Sequence, residues 1–231
     1  VRVALSALSF GSGSYAPRGG QVGMAYLFSA GHYVKVLDGL REARADVKIL
    51  SIHYGTENQV TLNGGQAALF RRAVEEAGVH LVLGHHPHVA RGVEVLPESN
   101  AAIFYSLGNL LFIGGAGKDG DALGRDYGLL GKAYFSVTGG ETRLKALGAV
   151  PLKGVHLKPV RPPVARARAT LENLNRLSRG SVGARAAEFG ILSPQGTPRG
   201  LACFGGPYPP RAKVQCCKLE DSLHCALPDL M

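Results

Sequence analysis

Apolar and polar positions change period several times along this chain, and each change marks a predicted element. Val1 to Leu8 follows the two-residue period of a half-buried strand. Residues 11–20, rich in Gly, Ser and Pro, read as a loop. Between Tyr33 and Ala45, Val34, Leu37 and Leu40 recur at helical spacing with charges between them. Val47 to Ile52 predicts a second strand, which delivers His53 at its end. A helix is predicted from about Gln66 to Ala77. Leu69, Phe70, Ala73, Val74 and Ala77 form its apolar face, Arg71, Arg72, Glu75 and Glu76 face water, and Gly78 stops it.

A third apolar run, Val79 to Leu83, ends in Gly84 and then presents His85-His86-Pro87-His88. The resulting strand–helix–strand unit has the length of a crossover, about thirty residues. Right-handed connection makes its two strands parallel neighbours, so His53 and the histidine cluster meet at one sheet edge. Gly92 to Leu96 and Ala101 to Tyr105 predict two more short strands, followed by the turn Ser106-Leu107-Gly108-Asn109 and the apolar Leu110 to Ile113. Tyr134 to Thr138, the Gly139-Gly140 turn and Arg143 to Val150 predict a hairpin. A short helix is expected over Thr170 to Ser178. The expected domain ends at residue 192, and residues 193–231 are expected to form a disordered basic tail containing Gly, Pro and Cys.

Charge sharpens this division. The net charge is +9, and residues 153–231 hold 12 Lys and Arg against 5 Asp and Glu, while residues 1–152 hold 14 against 12. The basic excess therefore lies outside the histidine-bearing part. No helix-turn-helix, zinc-finger or aromatic-basic pattern accompanies it, so no nucleic-acid motif is identified. No apolar run reaches the length of a membrane span. The four cysteines, Cys203, Cys216, Cys217 and Cys225, match no zinc spacing, and their even number permits disulfides without specifying them.

The histidine region has no cysteine, so a metal there must use nitrogen and oxygen donors. His53, His86 and His88 are the candidate ligands, and Mn, Zn or Fe is the divalent metal that such donors suit. Pro87 stiffens the backbone between two of them. Glu57 lies four residues past His53, and Asn109 follows a later strand. His85 and Glu57 are the candidates for moving a proton. Carboxylates for a two-metal site are scarce, since Asp46 precedes its strand and belongs to the opposite edge.

Three stretches together carry a resemblance: His53-Tyr54-Gly55-Thr56-Glu57, Gly84-His85-His86-Pro87-His88-Val89 and Tyr105-Ser106-Leu107-Gly108-Asn109. In order and spacing the chain resembles the CapA-type poly-gamma-glutamate capsule-synthesis proteins, of the calcineurin-like metallophosphoesterase superfamily, over residues 1–190. The resemblance implies an α/β sandwich of two β-sheets flanked by helices, here with its N-terminal part missing. It matches His53 to an isolated metal-ligand histidine, His86 and His88 to a His-x-His ligand pair, and Glu57 and Asn109 to site-shaping positions. His85 falls where the family's pattern is looser. Tyr54 stands where the family usually has tryptophan, and Asn58 where it usually has tyrosine. The family's upstream Gly-Asp, Asn-Leu-Glu and Asn-Asn-His motifs have no counterpart, so the chain is expected to hold about half an active site. The function implied is metal-dependent hydrolysis in capsule biosynthesis at the bacterial cell surface. Its partners would be an anionic polymer or phosphoester substrate and other capsule-synthesis proteins. The alternative is a non-catalytic binding or assembly subunit for an anionic surface polymer.

Overall fold

Two β-sheets carry the part of the chain that the computed structural model describes, namely residues 1–10, 25–27, 31–112, 124–193, 196, 198–205 and 216. The first sheet contains β1 (Val3–Ser9), β2 (Val47–His53), β3 (Leu81–His85), β4 (Val93–Leu96) and β5 (Ala101–Phe104), in the order β1-β2-β3-β5-β4. The first four in that order run parallel, and β4 closes the edge antiparallel to β5. Helices α1 (His32–Glu42) and α2 (Gly64–Ala77) make the crossovers. The second sheet is antiparallel throughout, in the order β6-β7-β9-β8, built from β6 (Tyr127–Thr138), β7 (Glu141–Lys153), β8 (Gly190–Leu192) and β9 (Arg199–Cys203). Helix α3 (Val164–Val182) packs beside it. The fold class is therefore the expected α/β arrangement of two sheets with flanking helices.

Two cores explain why the central strands read as nearly continuous apolar runs. On one face of the first sheet, Leu50, Ile52, Val82 and Ile103 pack under Leu37, Leu40, Phe70 and Ala73 of the helices. On the other, Leu81, Val93 and Phe104 meet Leu144 and Leu147 of the second sheet and Leu171 and Leu174 of α3. A strand buried on both faces has no polar side to alternate with.

Helix α2 starts at Asn63, whose side-chain oxygen accepts the Gln66 N–H at 2.7 Å, and stops at Gly78 in the left-handed conformation (φ 62°). It positions the site because β2 and β3, which it joins, are paired in register, with His53 opposite His85. Gly84 allows β3 to lie this close to its neighbour. A Cβ there would sit 2.3 Å from the Tyr105 carbonyl oxygen.

Two expectations need correcting. Ordered structure does not end at residue 192, since β9 lies between β7 and β8 and pairs Gly200–Cys203 with Ala146–Ala149. Cys203 is disulfide-bonded to Cys216, which is fully buried beside Ala146 and Leu201. Five residues opened by Arg199 and Gly200 are too few to show a period, and sheet pairing with β7 supplies what the local pattern lacks. Residues 206–215 and 217–231 of the expected tail, and the expected loop at 11–20, lie outside the described residues. The helix expected over Thr170 to Ser178 runs from Val164 to Val182. Its first turns, Ala-Arg-Ala-Arg-Ala, are good helix formers with little apolar stripe to betray them.

Candidate metal and hydrolytic site

The carboxyl ends of β2 and β3 present His53, His85, His86 and His88 to one cavity of about 400 Å³, which Gly108, Asn109 and the segment Leu110–Phe112 complete. Such an edge of parallel strands is where open α/β sheets place ligands. His53 Nε2 and His86 Nδ1 are 3.2 Å apart, with ring centroids 4.8 Å from each other. His86 also lies edge-on to Phe10, at 5.6 Å between centroids. His88 stands further off, its ring 6.3 Å from that of His86, and its Nδ1 is 2.8 Å from Asn109 Oδ1. Glu57 reaches within 3.9 Å of His86 Nε2. The structure thus brings His53 and His86 into direct contact, keeps Glu57 and His85 at their margin, and turns one nitrogen of His88 to Asn109.

The backbone here is held away from its relaxed basins. His86 (φ 99°) and His88 (φ 61°) both have positive φ, a region that side chains with a Cβ seldom occupy. Strain of this kind persists only where surroundings over-determine it. Two backbone bonds do so: the His85 carbonyl accepts the Tyr54 N–H at 2.9 Å, and the Pro87 carbonyl accepts the Asn58 N–H at 2.8 Å. The histidine loop and the loop carrying Glu57 are therefore locked to each other.

Electrostatics favours neutral imidazoles. Burial, and then the neighbouring histidines, pull His53 down to about 4. Burial also lowers His85, and it lowers His86 despite the opposing pull of Glu57. Neutral rings keep the lone pairs that a cation needs.

Beneath the two loops lies a hub that the sequence did not announce. Arg91 is fully buried, and its guanidinium donates to the Gln59 carbonyl (2.8 Å), the Thr56 carbonyl (2.7 Å) and Gln66 Oε1. Gln66, equally buried, donates onward to the carbonyls of Tyr54 and Tyr105, each at 2.9 Å. Burial brings Arg91 down to about 10. The available signal was a lone arginine in the apolar stretch three residues past His88. Its partners are backbone carbonyls, which no sequence pattern displays.

The fit to a divalent metal rests on donor type and on the proximity of two imidazoles. His53 and His86 bring two neutral ring nitrogens within 3.2 Å of each other, donors of the type that Mn, Zn or Fe accepts. With its Nδ1 turned to Asn109, His88 has Nε2 left as a donor. Among the described residues, no three His, Cys, Asp or Glu side chains are grouped tightly enough to hold an ion. No helix among them is long and apolar enough to cross a membrane.

Comparison with known proteins places this site in a family context. Residues 14–113 match the family model "Bacterial capsule synthesis protein PGA_cap", a segment that holds all the histidines above. The chain is 38% identical over 96 residues to the PGA biosynthesis protein CapA of Bacillus subtilis (strain 168), covering 41% of this chain and 24% of that protein. It is 36% identical over 72 residues to the capsule biosynthesis protein CapA of Bacillus anthracis, covering 31% of this chain and 17% of that protein. The matched segment thus spans a quarter or less of these relatives. Among solved structures, a phosphatase from Mycoplasma pneumoniae aligns over 68% of this chain and 50% of its own, with a TM-score of 0.32 and 14% identity. A hypothetical protein from Thermus thermophilus aligns over 55% and 47%, with a TM-score of 0.28 and 17% identity.

Proposed function

From the premise that residues 14–113 belong to the CapA-type bacterial capsule-synthesis family, we propose that this chain carries the histidine part of a metal-dependent hydrolase-like site. It would act in poly-gamma-glutamate or capsule biosynthesis at the cell surface, on a phosphoester or an anionic polymer, alongside other capsule-synthesis proteins. The observation that carries the reading is the 3.2 Å approach of His53 Nε2 to His86 Nδ1 at the ends of two adjacent parallel strands. Two imidazoles so close, neither charged at neutral pH, form either one hydrogen bond or two jaws of a cation site.

The chain's own residues have distinct parts in this reading. His53 and His86 would hold the metal, with His88 completing the set through Nε2 while Asn109 fixes its ring through Nδ1. Held by these residues, a divalent ion would supply Lewis acidity toward an ester oxygen and lower the pKa of water. Glu57, beside His86, and His85, on the same cavity wall, are the groups within the site able to carry a proton. Arg91 and Gln66 hold the Glu57 loop against the histidine loop, so the two halves of the proton path stay in register.

The test pairs metal analysis with catalysis. Purified protein is expected to take up Mn²⁺ or Zn²⁺ and to hydrolyse an artificial aryl phosphodiester, and His86→Ala is expected to abolish both. A protein that binds no transition metal after loading would defeat the reading. A second reading, a non-catalytic binding or assembly subunit, is favoured by one observation: described residues offer no three-ligand group. Metal uptake without turnover would support it.

A further inference from the structure

One wall of the histidine cavity is unlike the rest. Leu110, Leu111 and Phe112 line it and are 62%, 59% and 38% exposed, so three consecutive large apolar side chains face the opening. Isolated exposed leucines need no explanation, but a contiguous run on the rim of a polar cleft does.

This wall is built rather than frayed. The buried Val155 carbonyl accepts both the Leu111 N–H (2.9 Å) and the Phe112 N–H (2.7 Å), tying the segment to the end of β7. Leu111 has φ 74°, a left-handed conformation costly for leucine. The Phe112 ring lies 4.4 Å from that of His88, which joins the apolar wall to the polar one. No lysine or arginine is among the described residues lining the cavity. A cleft meant for a free, multiply charged anion normally gathers such cations.

The geometry points to an amphipathic phosphoester as the ligand of this cleft, with its phosphate against the histidines and an alkyl or aryl group on Leu110, Leu111 and Phe112. The inference rests on the histidine-site reading for the phosphate end alone. The apolar wall supplies selectivity. Each methylene laid on it gains affinity, to a limit of about fourfold per group at full burial.

Calorimetric binding to the full, Mn²⁺-loaded chain tests this without turnover, using inorganic phosphate, butyl phosphate and octyl phosphate below micelle-forming concentration. Octyl phosphate is expected to bind at least about tenfold more tightly than butyl phosphate, well inside the limit set by methylene burial. Leu110→Ser and Leu111→Gly should remove most of that dependence on chain length while leaving inorganic phosphate binding unchanged. Leu111→Gly also relieves the positive φ, so its unfolding midpoint should hold or rise and loss of selectivity cannot be ascribed to misfolding. Equal affinity for butyl and octyl phosphate in the unmodified chain would overturn the proposal. So would octanol competing as well as octyl phosphate, or a chain-length dependence retained in both variants. His86→Ala separates the two readings. A chain-length dependence that survives this change, with phosphate affinity also unaltered, would sink the histidine-site reading and leave the apolar wall in place.

Discussion

At the scale of single residues, the site depends on atoms that leave no room for alternatives. Gly84 lies within contact of the Tyr105 carbonyl, and any Cβ there must push β3 off β5. Gly84→Ala is expected to destabilise the fold by about 1–3 kcal/mol, measured as a shift in urea midpoint, and to weaken metal uptake because His85 and His86 follow directly. His80 shows the same economy away from the site. Its Nδ1 accepts the Lys48 N–H at 3.1 Å, and burial, then Lys48, lower its proton affinity from the usual 6.5. The unfolded chain therefore takes up this proton first. Stability falls as the pH drops from the unfolded value toward the lower folded one, and is unaffected above it. His80→Gln should lose less stability than the unmodified chain as the pH falls below the unfolded value of 6.5, by denaturation at each pH. The histidine cluster was legible as sequence because three rings in four residues announce themselves. The Arg91–Gln66 hub was not, because its partners are carbonyls of residues 54–59 and 105.

At the scale of elements, helix α2 does more than cross between strands. Its cap, Asn63, fixes Gln66, and Gln66 in turn braces the Glu57 loop and Arg91. Asn63→Ala should cost about 1 kcal/mol of stability, with a disproportionate rise in hydrogen exchange across residues 54–59. Uniform loss of protection would argue that the cap is only a cap. Elements with a strong period, α1, α2, β2 and β3, stand close to where their apolar patterns put them. Strand β9 and the first turns of α3 do not. One is a short strand recruited by the sheet beside it, and the other is a run of helix-forming Ala and Arg with no stripe to read.

At the scale of the molecule, two sheets share one buried layer, while among the described residues the first sheet has one edge largely unpaired. On β1, Val3 and Leu5 are 58% and 69% exposed, and its outer edge is met only at Ser9, by Tyr26, among the described residues. Open apolar edges invite strand pairing between chains. Leu5→Lys is expected to reduce self-association in light scattering and leave the unfolding midpoint unchanged. A midpoint that falls would mean that Leu5 packs within its own chain.

By itself the sequence determined the alternation of strands and helices, and with it the sheet edge where His53 and the histidine loop emerge. Both follow from periodicity and right-handed crossover, which are local or nearly local rules. Only the tertiary structure decided which rings touch, that His88 turns to Asn109, that Arg91 is buried among carbonyls, and that Leu110 to Phe112 wall the same cavity. Those outcomes depend on residues far apart in the chain competing for one small volume, and no local pattern records who wins.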